Sequence, residues 1–240
     1  FFNNYFNQYF MKRLLLVLSS RLILFLFIQM IIALCLNSFG GSVKYWTLTA
    51  TLTNIISIII LIILLRDEKT SFFSLFRFQK EKIKTDLIWL VLLILVSVPL
   101  AIIPSLALSN ILWGNTEYYH QVLFQPINKT FLYFLLFAYP ISTGLVELTT
   151  YFGYVMPRLK VQLKSQWIAI ALPVIAFSIQ HCTLPLVFEG KFIFFRGLMY
   201  LLFSLVYGVT IYKRPSLLPW LAILQVLIYI LPMTMLLTSK

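Results

Sequence analysis

Seven uninterrupted apolar stretches, each roughly twenty residues long, dominate this sequence of 240 residues. Inside a lipid bilayer every backbone N–H and C=O must pair within the protein, which leaves helices or a closed barrel. The apolar stretches are continuous rather than alternating, which favours helices. The sequence therefore predicts an all-α, polytopic membrane protein of about seven transmembrane helices. The predicted spans cover roughly residues 14–36, 45–65, 87–108, 131–159, 167–187, 192–212 and 217–237.

The low charge content excludes a soluble domain. Charged residues make up 11% of the chain, whereas soluble domains carry about a quarter. No internal repeat or long linker divides the sequence, so we predict a single membrane domain over residues 1–240. Its first part, residues 1–13, begins with an aromatic and Asn-rich segment that is typical of the membrane interface, where aromatic rings lie at headgroup depth.

The 19 Lys and Arg residues are unevenly distributed between the two ends of the predicted helices. With the N-terminus inside, 13 lie on the inner side and five on the outer side, while Arg21 lies within the first span. Because cytoplasmic loops are enriched in Lys and Arg, this asymmetry predicts a multi-pass protein of the cell membrane with a cytoplasmic N-terminus. The net charge of +12 reflects this topology, and we expect no nucleic-acid partner.

Two residues capable of acid–base chemistry lie within the apolar stretches. Glu147 is the one acidic residue of seven that falls inside a hydrophobic run, and His181 lies in the fifth span. A charged side chain at such depth costs roughly 2.5–3.5 kcal/mol on insertion scales, so by default it marks a functional site. The two residues are expected to meet if the fourth helix continues to about Leu159, because Glu147 then lies near the middle of the bilayer.

Helical spacing puts further polar side chains on the same face as Glu147. They follow it at three, four, seven and eleven residues: Thr150, Tyr151, Tyr154 and Arg158. The residues alone leave two interpretations open, a functional site or a hydrogen-bond network that joins helices.

Three sequence blocks resemble the CPBP family of intramembrane proteases, which includes the CAAX prenyl endopeptidases. The blocks are VELTTYFGYVMPRL, FSIQHCTLPLVF and RPSLLPWLAILQVLIY, at residues 146–159, 177–188 and 214–229. The family signature is E-E-x-x-x-R on one helix, F-x-x-x-H on the next and H-x-x-x-N/D on the last. The resemblance covers residues 140–232. It implies a glutamic endopeptidase in which Glu147 activates water, His181 assists, and Phe177 completes the second motif.

The chain departs from this signature in the first and third motifs. Leu148 replaces the second glutamate and Phe152 the arginine. By counting along the last helix, the third-motif histidine falls on Leu224 and its Asn/Asp partner on Ile228. Neither side chain can stabilise an oxyanion, and loss of one such donor costs roughly 10²–10³ in rate. The candidate substitute donors are Gln225, next to Leu224, if the helix is rotated by one residue, and Tyr151 or Tyr154.

These departures leave three possibilities open for this chain: a slow protease, a protease with substituted oxyanion donors, or an inactive relative of the family. The leading interpretation is an intramembrane endopeptidase that hydrolyses a peptide bond at or in the membrane. The alternative is an inactive scaffold whose cavity binds a partner membrane protein or lipid-linked peptide; a transporter subunit with Glu147 as proton site is a third interpretation. In the scaffold, Gly153 and Ser178 are expected to line the cavity.

The expected partners are membrane lipid and a peptide or membrane protein that serves as substrate or partner. One glutamate and one histidine are too few ligands for a zinc site, so no metal and no other cofactor is implied.

Overall fold

The structure, a computed structural model, describes the backbone of residues 2–238 and the side chains of residues 10–237. Within these residues seven helices are long and apolar enough to cross a membrane, and no strand occurs. The prediction of an all-α membrane protein with about seven spans is thus confirmed. In chain order the helices are α1 (Phe2–Cys35), α2 (Trp46–Asp67), α3 (Ile83–Trp113), α4 (Lys129–Gln162), α5 (Gln166–Thr183), α6 (Gly190–Lys213) and α7 (Leu218–Thr238).

The helices begin and end where the sequence supplies capping residues. α3 runs to Trp113, beyond its predicted end, and stops at Gly114, whose φ of 66° is left-handed and therefore suits glycine. Asn128 caps α4, since its side-chain oxygen accepts from the backbone N–H of Thr130 at 2.9 Å. At the N-terminus, residues 2–13 of the predicted interfacial segment 1–13 form the first part of α1; residue 1 and the side chains up to residue 9 lie outside the described residues.

The fourth helix is long and changes its winding near Glu147. It is α-helical over Lys129–Leu148, π-helical over Thr149–Val155 and α-helical again over Met156–Gln162. The expected continuation of this helix to about Leu159 is confirmed. Glu147 lies 18 residues after its start and 15 before its end, which are roughly 27 and 22 Å at 1.5 Å per residue. Its backbone is therefore close to the middle of the span.

A glycine allows α7 to approach α4 closely beside this point. A Cβ atom placed on Gly144 would lie 2.7 Å from the carbonyl oxygen of Ala222 and would also collide with Val226. Small residues at helix contacts let backbones pack tightly in membrane proteins. The side chains of α7 that follow Ala222 thus lie directly against the buried face of α4.

The two ends of the helix bundle differ in character. One end, here called the basic end, contains the α2–α3, α4–α5 and α6–α7 connections and most of the Lys and Arg residues. The opposite end, here called the cap end, contains the α1–α2, α3–α4 and α5–α6 connections. The longest cap-end connection, residues 114–128, is named the cap segment and includes a short helix, Tyr118–Leu123.

An ion-pair cluster around Glu68 joins three helices at the basic end. Arg158 on α4 donates to both carboxylate oxygens of Glu68, and the hydroxyl of Tyr154 donates to Oε1 at 2.9 Å. Arg13 on α1 lies 3.8 Å from Oε1. Burial alone raises the pKa of Glu68, but the bonds and charges of Arg158, Tyr154 and Arg13 outweigh it, so the pKa lies below its ordinary value.

This lowered pKa predicts an acid-dependent loss of stability. The contribution of Glu68 is complete above the ordinary glutamate pKa and is lost as the pH falls through the lowered folded value. We expect Glu68→Gln to lower the melting temperature of the purified protein by about 2–4 °C at pH 7. The difference from the native protein should shrink as the pH is lowered toward 3.

Glu81→Gln is the matched control, because Glu81 is exposed and forms no ion pair with another described residue. Equal effects of the two substitutions, or a Glu68→Gln deficit that does not depend on pH, would contradict the assigned role of the cluster.

Candidate active site

Glu147 is buried and its carboxylate is surrounded by hydrogen-bond donors. Its side chain is 2% exposed. Oε1 accepts from the side-chain amide of Gln180 at 2.9 Å. Oε2 accepts from the hydroxyl of Tyr229 at 3.0 Å and from the side-chain amide of Gln225. An ionised carboxylate is purely an acceptor, so three donors around it match the charged form and offset its removal from water.

His181 lies beside Glu147 on the 3₁₀ turn Gln180–Thr183 that ends α5. Its Nε2 atom is 3.5 Å from Oε1 of Glu147, and its Nδ1 atom is 2.9 Å from the carbonyl oxygen of Phe177. Because a carbonyl can only accept, Nδ1 carries the proton of the neutral ring and the lone pair of Nε2 faces the carboxylate. One proton, or one bridging water, can therefore be shared between Nε2 and Oε1.

Gln180 and Arg21 are members of this site that the sequence analysis missed. Oε1 of Gln180 accepts from Nε of Arg21 at 2.8 Å and from the hydroxyl of Tyr151 at 3.0 Å. Gln180 thus connects the positive charge of Arg21 to the carboxylate of Glu147. The signal was an arginine within the first span, since such a residue marks a site by the same energetic argument as Glu147. Gln180 carries no charge and gave no comparable signal.

Of the four α4 residues on the predicted polar face, only Tyr151 reaches the site, through Gln180. Thr150 donates to the carbonyl oxygen of Val146 at 2.7 Å, and Tyr154 and Arg158 bind Glu68 at the basic end. Tyr154 and Arg158 are seven and eleven residues from Glu147, which is roughly 10 and 16 Å along a helix at 1.5 Å per residue. For Tyr154 and Arg158, a network that joins helices is the interpretation that the contacts favour.

A cavity of about 60 Å³ lies against Glu147 and His181, enough for a few water molecules. The polar side chains around these two residues are Arg21, Asn54, Tyr139, Arg196, Tyr200 and Tyr229. Further lining residues include Trp46 at the start of α2 and Leu184 at the end of α5, both at the cap end. Among the described residues, no lining residue belongs to a connection at the basic end. The cavity therefore extends from mid-membrane toward the cap end.

The cap segment covers this cavity and is held by hydrogen bonds to its neighbours. The indole N–H of Trp46 donates to the carbonyl oxygen of Leu123 at 2.8 Å. Glu189, before α6, accepts from the indole N–H of Trp113 at 2.8 Å and from the hydroxyl of Tyr118 at 2.6 Å. The bond to Glu189 raises the pKa of Tyr118, so the hydroxyl stays protonated and can donate at neutral pH.

Gly153 and Ser178, which were expected to line the cavity, lie elsewhere. A Cβ atom on Gly153 would be 2.8 Å from Cδ2 of Leu218, and the hydroxyl of Ser178 donates to the carbonyl oxygen of Gly197 at 2.6 Å. Both positions serve close helix packing. The small residues at the cavity wall are Ala50 and Thr143.

A family model matches the part of the chain that contains most of the site. Residues 128–228 match the family model described as type II CAAX prenyl endopeptidase Rce1-like. The match contains Glu147, His181 and Gln225. No curated protein and no solved structure gives a significant match. Over residues 128–228 this chain is similar to CAAX prenyl endopeptidases, as the three sequence blocks led us to expect.

On α7, the two positions counted for the third motif do not face Glu147: Leu224 packs against the apolar core, and Ile228 is 45% exposed. The adjacent residues Gln225 and Tyr229 face it instead. Gln225 and Tyr229 are four residues apart, as are the two residues of the family motif, and both donate to Glu147. The predicted contact of Gln225 with the site thus occurs in the structure, and Tyr229 joins it.

Among the described residues, the site contains a carboxylate and an imidazole but no cluster of metal ligands. No group of three or more His, Cys, Asp or Glu side chains in that part of the chain is placed to hold a metal ion. The site combines the carboxylate of Glu147, the imidazole of His181 and two hydrogen-bond donors on α7 with a cavity that can hold water.

Proposed function

We propose that this protein is an intramembrane endopeptidase of the glutamic type, in which Glu147 activates a water molecule to hydrolyse a peptide bond at or in the membrane. The observation that supports it most directly is the contact of Glu147 with His181, 3.5 Å apart, at the wall of a cavity deep in the membrane. A base held near the middle of a helix has to be reached by water, and this cavity has room for a few water molecules beside Glu147. The substrate would enter it from the cap end.

In the proposed reaction Glu147 is the general base and His181 its partner. A cavity water gives one proton to the carboxylate as its oxygen bonds to the carbonyl carbon, and the carbonyl π electrons become an oxyanion. When the C–N bond breaks, the proton held by Glu147 or by Nε2 of His181 passes to the leaving nitrogen. The sum is one water added across one peptide bond, and the base is restored.

Gln225 and Tyr229 are the proposed oxyanion donors. In the resting site both donate to Oε2 of Glu147. Protonation of Glu147 removes the negative charge that holds them, just as negative charge develops on the substrate oxygen. Tyr229 also lines the cavity, which gives its hydroxyl direct access to a bound carbonyl. Donors therefore exist at the third motif even though its histidine is absent.

We further propose that the protein lies in the cell membrane with its N-terminus in the cytoplasm, so that the cavity faces the outside. The basic end carries most of the Lys and Arg residues, and such ends usually stay cytoplasmic. The cavity extends to the opposite end, under the cap segment. The substrate would then be a membrane protein or membrane-bound peptide whose scissile bond approaches from the outer side.

One feature of the site favours the alternative of an inactive scaffold. All three donors around Glu147 already satisfy its carboxylate, as in a structural network that joins α4, α5 and α7. A scaffold needs the shape of the cavity but no base. The two functions therefore differ in whether the charge of Glu147 is required.

Substitution of the base separates the two functions. We expect Glu147→Gln and His181→Ala each to abolish the new peptide termini that the native protein generates in the membrane fraction of its cells, with normal expression. The amide of Glu147→Gln keeps the size and much of the hydrogen bonding, so folding should persist. Quantitative mass spectrometry of peptide termini measures the effect. Glu117→Gln, in the exposed cap segment, is the control and should behave as the native protein.

If Glu147→Gln retains function while a bulky residue in the cavity wall, Ala50→Phe, destroys it, the scaffold is correct and the peptidase is not.

Substitution on α7 tests the oxyanion donors. We expect Gln225→Leu and Tyr229→Phe each to lower the rate of cleavage by roughly 10²–10³ without loss of folding. Leu224→Met and Ile228→Val, on the other faces of the same turns, should leave the rate unchanged. An unchanged rate in Gln225→Leu would remove Gln225 from the mechanism, and the same holds for Tyr229→Phe.

Cysteine labelling tests the orientation. In a background with Cys35→Ser and Cys182→Ala, Gln79→Cys at the basic end should react with a membrane-impermeant maleimide only after the cells are opened. Thr116→Cys in the cap segment should react in intact cells. Both positions are exposed and uncharged, so the pair is matched. The reverse pattern would overturn the proposed orientation and the outward-facing cavity.

A further inference from the structure

Two buried arginines and one glutamate line the cavity. Arg21 is 1% and Arg196 2% exposed. Among the described residues, neither forms an ion pair with a carboxylate. With Glu147 ionised and His181 neutral, the cavity wall carries one positive charge in excess. Buried charges in membrane proteins are normally paired, so this excess is unusual.

The positive charge that is left without a negative counterpart is that of Arg196. The sequence assigned this residue to the outer ends of the helices, but the structure buries it in α6 with its side chain at the cavity. Arg21 is already engaged by Gln180 and Ser57, and through Gln180 it serves Glu147. Arg196 has no such connection to a carboxylate.

The contacts of Arg196 hold it in place without neutralising it. Its guanidinium donates to the carbonyl oxygen of His181 at 3.3 Å and to that of Leu184, and contacts the sulfur of Met199 at 3.5 Å. The rings of Tyr119 and Tyr200 lie 5.7 and 5.6 Å from its central carbon. All of these partners are neutral, so they satisfy N–H donors of the guanidinium without cancelling its charge. Arg196 is thus a cation without a carboxylate partner at a cavity wall.

We propose that the cavity binds a monoanionic group, a carboxylate or a phosphodiester, with Arg196 as its counter-ion. A single negative charge balances the excess of one, and a volume of about 60 Å³ accepts a group of a few heavy atoms rather than a whole ligand. The rest of the ligand would extend toward the cap end. This site goes beyond the proposed function, because it requires the cavity and its charges but not peptide hydrolysis.

Small anions test the site directly on the purified full-length protein in a neutral detergent. Thermal unfolding is followed by tryptophan fluorescence during titration with sodium acetate, sodium dimethyl phosphate or acetamide, and a bulky sulfonate keeps the ionic strength constant. We expect a saturable rise in melting temperature with at least one anion and none with neutral acetamide. A response to acetate alone identifies a carboxylate ligand, and a response to dimethyl phosphate alone a phosphodiester headgroup. No difference between either anion and acetamide would overturn the proposal.

Variants assign the response to Arg196. Arg196→Gln should weaken anion binding by about ten- to a hundredfold. Lys191→Gln removes a charge from the same helix outside the cavity and should have no effect. Because Arg196 also holds the turn after His181, Arg196→Lys is the second variant: it keeps the charge and should retain more of the affinity than Arg196→Gln. Native affinity in both Arg196 variants, or loss in Lys191→Gln, would refute the assignment.

Glu147→Gln distinguishes this proposal from the proposed function. Loss of the neighbouring negative charge should tighten anion binding, roughly tenfold, while it abolishes proteolysis. Anion binding in a protein that never cleaves peptides would support the anion site and refute the peptidase. Proteolysis without an anion response would support the peptidase and refute the anion site. Weaker anion binding in a folded Glu147→Gln variant would contradict the charge argument itself.

Discussion

A carboxylate buried in the middle of a membrane-spanning helix imposes the requirement that the neighbouring helices of this protein meet. Glu147 cannot stay ionised at that depth unless donors replace the water it has lost. Gln180 on α5 and two residues of α7 supply them, and Arg21 on α1 acts through Gln180. Four helices therefore converge on one side chain. The absence of a side chain at Gly144 is what lets α7 come close enough to take part.

The parts of the fold that the sequence predicts are the membrane spans and the extended fourth helix. The spans follow from lengths of apolar sequence, and the extended α4 follows from the need to bring Glu147 to the depth of His181. Both depend on composition and helix rise, which are local properties. The resemblance to CAAX proteases adds the order of the motifs, and so identifies Glu147 and His181 as neighbours before any coordinates are considered.

The side-chain contacts that the sequence does not predict depend on small rotations of a helix about its axis and on uncharged hydrogen-bond partners. A shift of one residue along α7 turns a side chain by about 100°, which decides whether Leu224 or Gln225 faces Glu147. Likewise, a shared helix face does not decide which partner a side chain meets: Tyr154 and Arg158 lie far enough along α4 to bind Glu68 rather than Glu147. Gln180 is an uncharged residue whose importance comes only from its three partners. Arg196 was counted among the five basic residues of the outer side because it lies within the first turns of the predicted span 192–212.

The hydrogen-bond donors around Glu147 are compatible with both candidate functions, the peptidase and the scaffold. Gln225 and Tyr229 stabilise the carboxylate at rest, and this is a structural role that an inactive protein would also need. During hydrolysis the negative charge would pass from Glu147 to the substrate oxygen, and donors aimed at one would lie close to the other. The positive excess at Arg196 favours negative charge anywhere in the cavity, whether it lies on a ligand or on a reaction intermediate. Since α7 contains no histidine, electrostatic stabilisation from this helix has to come from Gln225 and Tyr229.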